Sequence, residues 1–321
     1  MSKSIEKFED VKSFDDAKKM LVNERVHDLE SLFSLWRRAH MWEVEEWKRN
    51  NEDKAHMWNK ERGRKIPETI PYVFKGIKDT SAMEGAMKYS FCGDGYIGRR
   101  DLEDDFENNE HSNIYDNKEG ERKKFTRFLI LKEENNFQTT KEKWEETVKP
   151  YNTYYGDWAY DNREVLKIIR PKDGKEVTTT ATAAKVAEIA RYICKEAKDK
   201  FNWGSPKEDK SRKEAIRKFA VLNLNKRGGC ARADEMALSQ YAITYESFIL
   251  KEIEFLADEK EETLEFIVFG KITDASDSEK GYFNTLRKIL RNAFPSCKIH
   301  NLPHPARVSY KDVETRWKDL Y

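Results

Sequence analysis

Four short apolar runs punctuate the chain after residue 120: FTRFLIL (Phe125 to Leu131), KFAVLNL (Lys218 to Leu224), LEFIVFG (Leu264 to Gly270) and CKIHNL (Cys297 to Leu302). Each is short, rich in Val, Ile, Leu and Phe, and bounded by charged or turn-forming residues, the pattern of a β-strand. Between them apolar residues recur with the period of a helix. Val186, Ile189, Ala190 and Ile193 form one such face, Tyr245, Phe248, Ile249, Ile253 and Leu256 a second, and Leu286, Ile289 and Leu290 a third. Strand and helix thus alternate as βαβαβαβ, which predicts an α/β fold: a four-stranded parallel sheet with helices on both faces. Ligands of such sheets bind beyond the carboxyl ends of the strands.

Residues 15 to 60 read differently. Val22, Val26, Leu29, Phe33 and Trp36 lie at spacings of four and three, one face of a helix, and Trp42, Trp47 and Trp58 prolong an aromatic, charged region. Aromatic stripes at helical spacing are usually core, so this region is expected to be a helical layer packed on the main domain. The segment Arg99 to Lys124 is polar, acidic and aperiodic, hence a loop or linker. The expected organisation is an N-terminal helical region over residues 1–120 and an α/β domain over 121–321.

Composition narrows the function classes. With 60 Lys+Arg against 59 Asp+Glu, affinity for a polyanion must come from local patches rather than net charge. No apolar run approaches the roughly 18 residues that span a bilayer, and the polar start lacks a signal-peptide core, so a soluble, cytoplasmic protein without membrane contact is expected. Cys92, Cys194, Cys230 and Cys297 are scattered without a C-x-x-C pair. They are therefore read as reduced and mostly buried, with no metal and no cofactor. Of the histidines, His27, His40, His56 and His111 are expected at the surface or in packing, and His300 lies within a strand.

The chemistry gathers at the strand ends. The first run leads into KEENN (Lys132 to Asn136), the second into NLNKRGG (Asn223 to Gly229), and the fourth lies in HNLPHPAR (His300 to Arg307). Carboxylate, amide and histidine at the carboxyl ends of different parallel strands converge on one crevice. Upstream of the second strand, PKEDKSRKEAIRK (Pro206 to Lys218) has six cations against three acids, a candidate backbone-binding face that includes Lys213 and Lys218.

These motifs resemble those of the uracil-DNA glycosylase superfamily, over residues 121 to 321. Its iron–sulfur branch carries G-E-x-P-G, N-V-V-K-C and H-P-A where this chain has KEENN, NLNKR and HPAR. The resemblance implies a flipped-base pocket. In it His304 would hydrogen-bond the departing base, Asn223 would read the pyrimidine edge, and Glu133 or Glu134 would orient water or stabilise charge on the sugar. Lys226 falls on the family's lysine, and with Arg227 and Arg307 is expected to contact DNA. The family also places an aromatic downstream of its first motif, which points to Tyr155 or Trp158 in YNTYYGDWAY (Tyr151 to Tyr160). Asn136 stands where the uracil-specific branch has a Tyr that blocks C5-substituted pyrimidines, so room for a C5 substituent is implied. The Gly and Pro flanking the family's acid and the paired cysteines of its cluster are both missing here.

The expected function is accordingly that of a monofunctional DNA glycosylase, active without metal and as a monomer with no obligatory protein partner. It would excise uracil or a C5-modified cytosine in repair or anti-phage defence. The alternative is a non-catalytic nucleic-acid-binding protein on the same fold. An enzyme of free nucleotides is a third class, though the chain lacks the G-x-x-x-x-G-K-[ST] and G-x-S-x-G signatures of its commonest forms.

Overall fold

The computed structural model describes residues 8, 10–60, 124–133, 167–169, 176–178, 181–194, 209–226, 235–258, 263–270, 281–305 and 315–317. The four expected strands are present as β1 (Arg127–Glu133), β4 (Ala220–Asn225), β5 (Glu265–Gly270) and β6 (Lys298–Pro303). They form one all-parallel sheet in the order β4-β1-β5-β6. A short antiparallel pair, β2 (Lys167–Ile169) with β3 (Glu176–Thr178), adds an element that the apolar pattern does not announce.

Pleat alternation divides the strand residues between two cores. Phe128, Ile130, Leu222, Phe266 and Val268 face the larger one, while Leu129, Leu131, Val221, Ile267, Phe269 and Leu302 face the smaller. Helices α4 (Ala181–Ile193) and α5 (Asp209–Ile216) close the smaller core. A buried carboxylate joins them: Glu188 accepts from Arg191 at 2.6 Å and from Arg212 at 2.7 Å. Helices α6 (Glu235–Thr244), α7 (Glu246–Leu256) and α8 (Tyr282–Ala293) cover the other face. Connections running toward β4 use one face and those running toward β6 the other, as a single hand of crossover requires.

The N-terminal helices form a further layer on α7. They are α1 (Phe14–Met20), α2 (Leu29–Asn50) and α3 (Glu52–Lys60). Phe33, Trp36 and Trp47 belong to the same continuous core as Phe128 and Phe266, so this layer shares the core of the sheet domain. The helical face expected to begin at Val22 is interrupted. Val22 is 92% exposed, and α2 starts only where Asp28 and Ser31 make a reciprocal capping box, with Asp28 accepting from the Ser31 N–H at 2.7 Å. The segment Tyr245 to Leu256 likewise opens as a break, Tyr245 being the residue between α6 and α7.

At the carboxyl end of β5 the tyrosine that opens α8 lies against Gly270. A Cβ there would meet ring carbons of Tyr282 at 2.7 Å, and the Tyr282 hydroxyl donates to the Phe269 carbonyl. We expect Gly270→Ala to destabilise the fold by about 1–3 kcal/mol through overpacking, read as a lower denaturation midpoint in urea. Burial, with a smaller contribution from the Glu235 charge, pushes the Tyr282 hydroxyl well above the ordinary tyrosine range. The folded state therefore holds this proton more tightly than the unfolded chain. That contribution is intact below the unfolded value of about 10 and is lost as pH rises above it. Denaturation midpoints measured from pH 8 to 11 should fall less steeply in Tyr282→Phe than in the wild type; parallel curves would refute the assignment.

Candidate functional site

The strand order contains one reversal of direction. From β1 the chain crosses to β4 on one side, and from β5 it moves to β6 on the other, so the topological switch point, where folds of this kind bind ligands, lies between the carboxyl ends of β1 and β5. The registers align the residues that border it. Glu133 pairs with Asn225 and Gly270 with Pro303. Extending the β1–β5 ladder from the Ile130–Val268 pair puts Lys132 level with Gly270, and therefore Glu133 level with His304. Asn225, Glu133 and His304 thus occupy one row at the rim, spaced at the interstrand distance of about 4.8 Å, with β1 and β6 about 10 Å apart.

One row deeper lie Asn223, Leu131, Phe269 and Leu302. The last three are buried in the smaller core, so Asn223, 5% exposed, is the polar member of an otherwise apolar floor. It projects to that face because Leu222 and Leu224 on either side of it belong to the opposite core. His304 is half-buried and follows directly on the buried Pro303, whose ring restricts the backbone that carries it. On the opposite face Asn301 donates its side-chain amide to the carbonyl of Val268, its register partner, at 3.2 Å and so tightens the end of β6. A carboxylate position, two amides and an imidazole are therefore gathered above an apolar floor. Such a set can present donors and acceptors to a planar heterocycle and hold a water nearby.

One expectation is corrected. Lys226 does not face outward as a DNA-contacting cation. It is 1% exposed, ion-paired with the equally buried Glu252 at 2.7 Å, donates to the Asn223 carbonyl at 2.8 Å, and lies over the Trp36 ring at 5.2 Å. A buried ammonium needs such partners, and here Glu252, Asn223 and Trp36 supply them. Lys218 is exposed but sits just before β4, at the amino edge of the sheet. At about 3.3 Å per residue it is about 20 Å from the crevice. Lys213 lies on α5, which leads to that same edge.

His300 faces the smaller core two residues below Leu302 and plays a structural part. Its Nε2 lies 3.2 Å from Glu265, which also binds Arg127 at 3.0 Å, and its ring packs on Trp317. Cys194 and Cys297 form no disulfide and are half-buried rather than buried; Cys194 accepts from Arg127 at 3.6 Å, and burial raises the Cys297 thiol above its ordinary range. His27 and His56 are exposed, whereas His40 is buried. Glu134, Asn136, Tyr155, Trp158, Arg227, Arg307, Cys92, Cys230 and His111 lie outside the described residues, as does the linker from Arg99 to Lys123. For Glu133 the strand position alone is described.

Two features of the edge were missed at the level of sequence. One is Asn225, whose signal was its place two residues after Asn223, on the same pleat face and nearer the rim. The other is Glu252, an acidic residue on the apolar face of α7 that nothing in the local pattern joins to Lys226. Among the described residues no group of three or more His, Cys, Asp or Glu is arranged to hold a metal ion, and no helix is long and apolar enough to cross a membrane.

Comparison with protein-family models, with curated proteins and with solved structures yields no match.

The Lys226–Glu252 pair makes a definite prediction about stability. Truncating either partner to Ala should cost about 3–5 kcal/mol, since the other charge stays buried alone. The double change Lys226→Met with Glu252→Leu should come within about 1–2 kcal/mol of the wild type. Urea denaturation of the three variants gives the comparison; additive losses would show that the two residues act independently.

Proposed function

We propose that the chain is a DNA glycosylase that flips a non-standard pyrimidine, uracil or a C5-modified cytosine, into the crevice at the carboxyl edge and hydrolyses its N-glycosidic bond. The observation that carries this reading is the shared rim row of Asn225, Glu133 and His304 above Asn223. It supports the convergence that the resemblance implies.

In this mechanism the bond between base and sugar breaks with its electron pair leaving on the base. His304 donates a hydrogen bond to the base oxygen on which negative charge grows. The amides of Asn223 and Asn225 read the base edge from the floor and rim. Glu133 or Glu134 orients the water whose oxygen joins the anomeric carbon and stabilises the positive charge developing on the sugar. The proton that the water releases balances the one the departing base anion takes up, so the products are a neutral free base and an abasic site. The apolar floor of Leu131, Phe269 and Leu302 keeps the polar contacts above it in a low-dielectric setting, where each is stronger than in water. Unstacking the base costs a few kcal/mol, which contacts in the pocket must offset. Tyr155 and Trp158 are the candidates for stacking, Asn136 for space at C5, and Arg227 and Arg307 for the phosphates.

The test is release of free base from oligonucleotides and phage DNAs containing uracil, 5-hydroxymethylcytosine or its glucosylated form, followed by mass spectrometry. One of these bases should be released, and His304→Ala should lower the single-turnover rate about 10²–10³-fold, the contribution of one preorganised donor to a developing anion. DNA that is bound in a salt-dependent way but left intact would favour the non-catalytic nucleic-acid-binding reading. Turnover of free nucleotides without polymer would point to the third class.

A further inference from the structure

The network around Lys226 extends out of the sheet domain into the N-terminal layer. Besides the bonds of its ammonium, Lys226 donates its backbone N–H to the Tyr241 hydroxyl at 3.2 Å. That hydroxyl lies 2.9 Å from Nε2 of His40, a residue of α2 that is 1% exposed. The hydroxyl oxygen that accepts from the Lys226 N–H keeps a second lone pair and its own hydrogen, so it can bond Nε2 of His40 with either ring tautomer. Tyr241 comes from α6 and packs on Tyr245 at 4.5 Å, with Trp36 of α2 stacked on both rings at 6.5 and 6.1 Å. The His40 ring meets Tyr245 edge-on at 4.6 Å, and the Tyr245 hydroxyl donates to Glu43, also of α2.

We propose that α2 is a positioning element of the candidate site, with His40 acting through Tyr241 on the backbone of Lys226 and hence on the end of β4 that presents Asn223 and Asn225. The last residue of β4 is Asn225, and the next N–H along the chain is held by a side chain of α6 that α2 orients. Lys226 is thereby fixed at both ends: its backbone by Tyr241, its ammonium by Glu252 and the Asn223 carbonyl. This assigns a duty to the N-terminal layer beyond covering apolar surface. Acting through Tyr241, His40 is a positioning residue and not a catalytic one.

The inference rests on the carboxyl edge being the functional site, but its test does not depend on the reaction. Amide hydrogen exchange would be measured on the full chain for the wild type, Tyr241→Phe, His40→Ala and His40→Gln. Tyr241→Phe keeps the stacked ring and removes the hydroxyl that joins Lys226 to His40. It should speed exchange at the Lys226 amide about tenfold or more, with the amides of β5 from Phe266 to Phe269 unchanged relative to global stability. His40→Ala should act in the same direction, and His40→Gln, whose amide offers both a donor and an acceptor at similar reach, should recover most of the protection. Unaltered protection at Lys226 in Tyr241→Phe, or a loss spread equally over β4, β5 and β6, would overturn the proposal. Base release measured on the same variants separates the two readings. Local loosening with no release by any variant, wild type included, leaves the positioning role standing and removes the glycosylase.

Discussion

The buried ion pair between Lys226 and Glu252 is the interaction that sets the carboxyl edge of this sheet. Neither charge can remain in an apolar interior alone, so each fixes the position of the other, and with them β4 is tied to α7. The ammonium also lies over the rings of Trp36 and Phe33, which draws α2 into the same contact. A pair of this kind adds little net stability over a well-packed apolar pair, because desolvation offsets most of its attraction. Its consequence is geometric. The end of β4, where the two asparagines stand, has one acceptable position relative to two helical layers.

The parallel sheet supplies the rest of the arrangement. Equal spacing of strands and a fixed pleat place every second residue of neighbouring strands in a common row, so a polar residue at the end of one strand meets polar residues at the ends of others. Apolar residues fill the row beneath, with Asn223 the exception. The strand order puts the switch point between β1 and β5, and Gly270 leaves space there for the Tyr282 ring. Burial of that ring holds the end of β5 as the ion pair holds the end of β4.

Much of this was legible along the chain. All four strands of the sheet lie within about two residues of the apolar runs that announced them, because a fully buried strand must be apolar on both faces and short. The helices α4, α7 and α8 appear where their periodicity put them. Errors arose where a local signal was set by something distant or competing. Val22 fits a helical spacing, but the Asp28–Ser31 capping box decides where α2 begins. Lys226 resembles any lysine in a polar loop until Glu252, 26 positions later, is brought beneath it.

Local periodicity and the covalent order of the chain suffice for the alternation of strand and helix, the face each strand residue presents, and the residue types available at the strand ends. Strand order, the level at which residues of different strands meet, and the partners of buried charges arise only on folding. They depend on contacts between residues far apart in the chain, such as His40 with Tyr241 across 201 positions. No local pattern encodes such a contact, since its energy exists only once both surfaces have left water together.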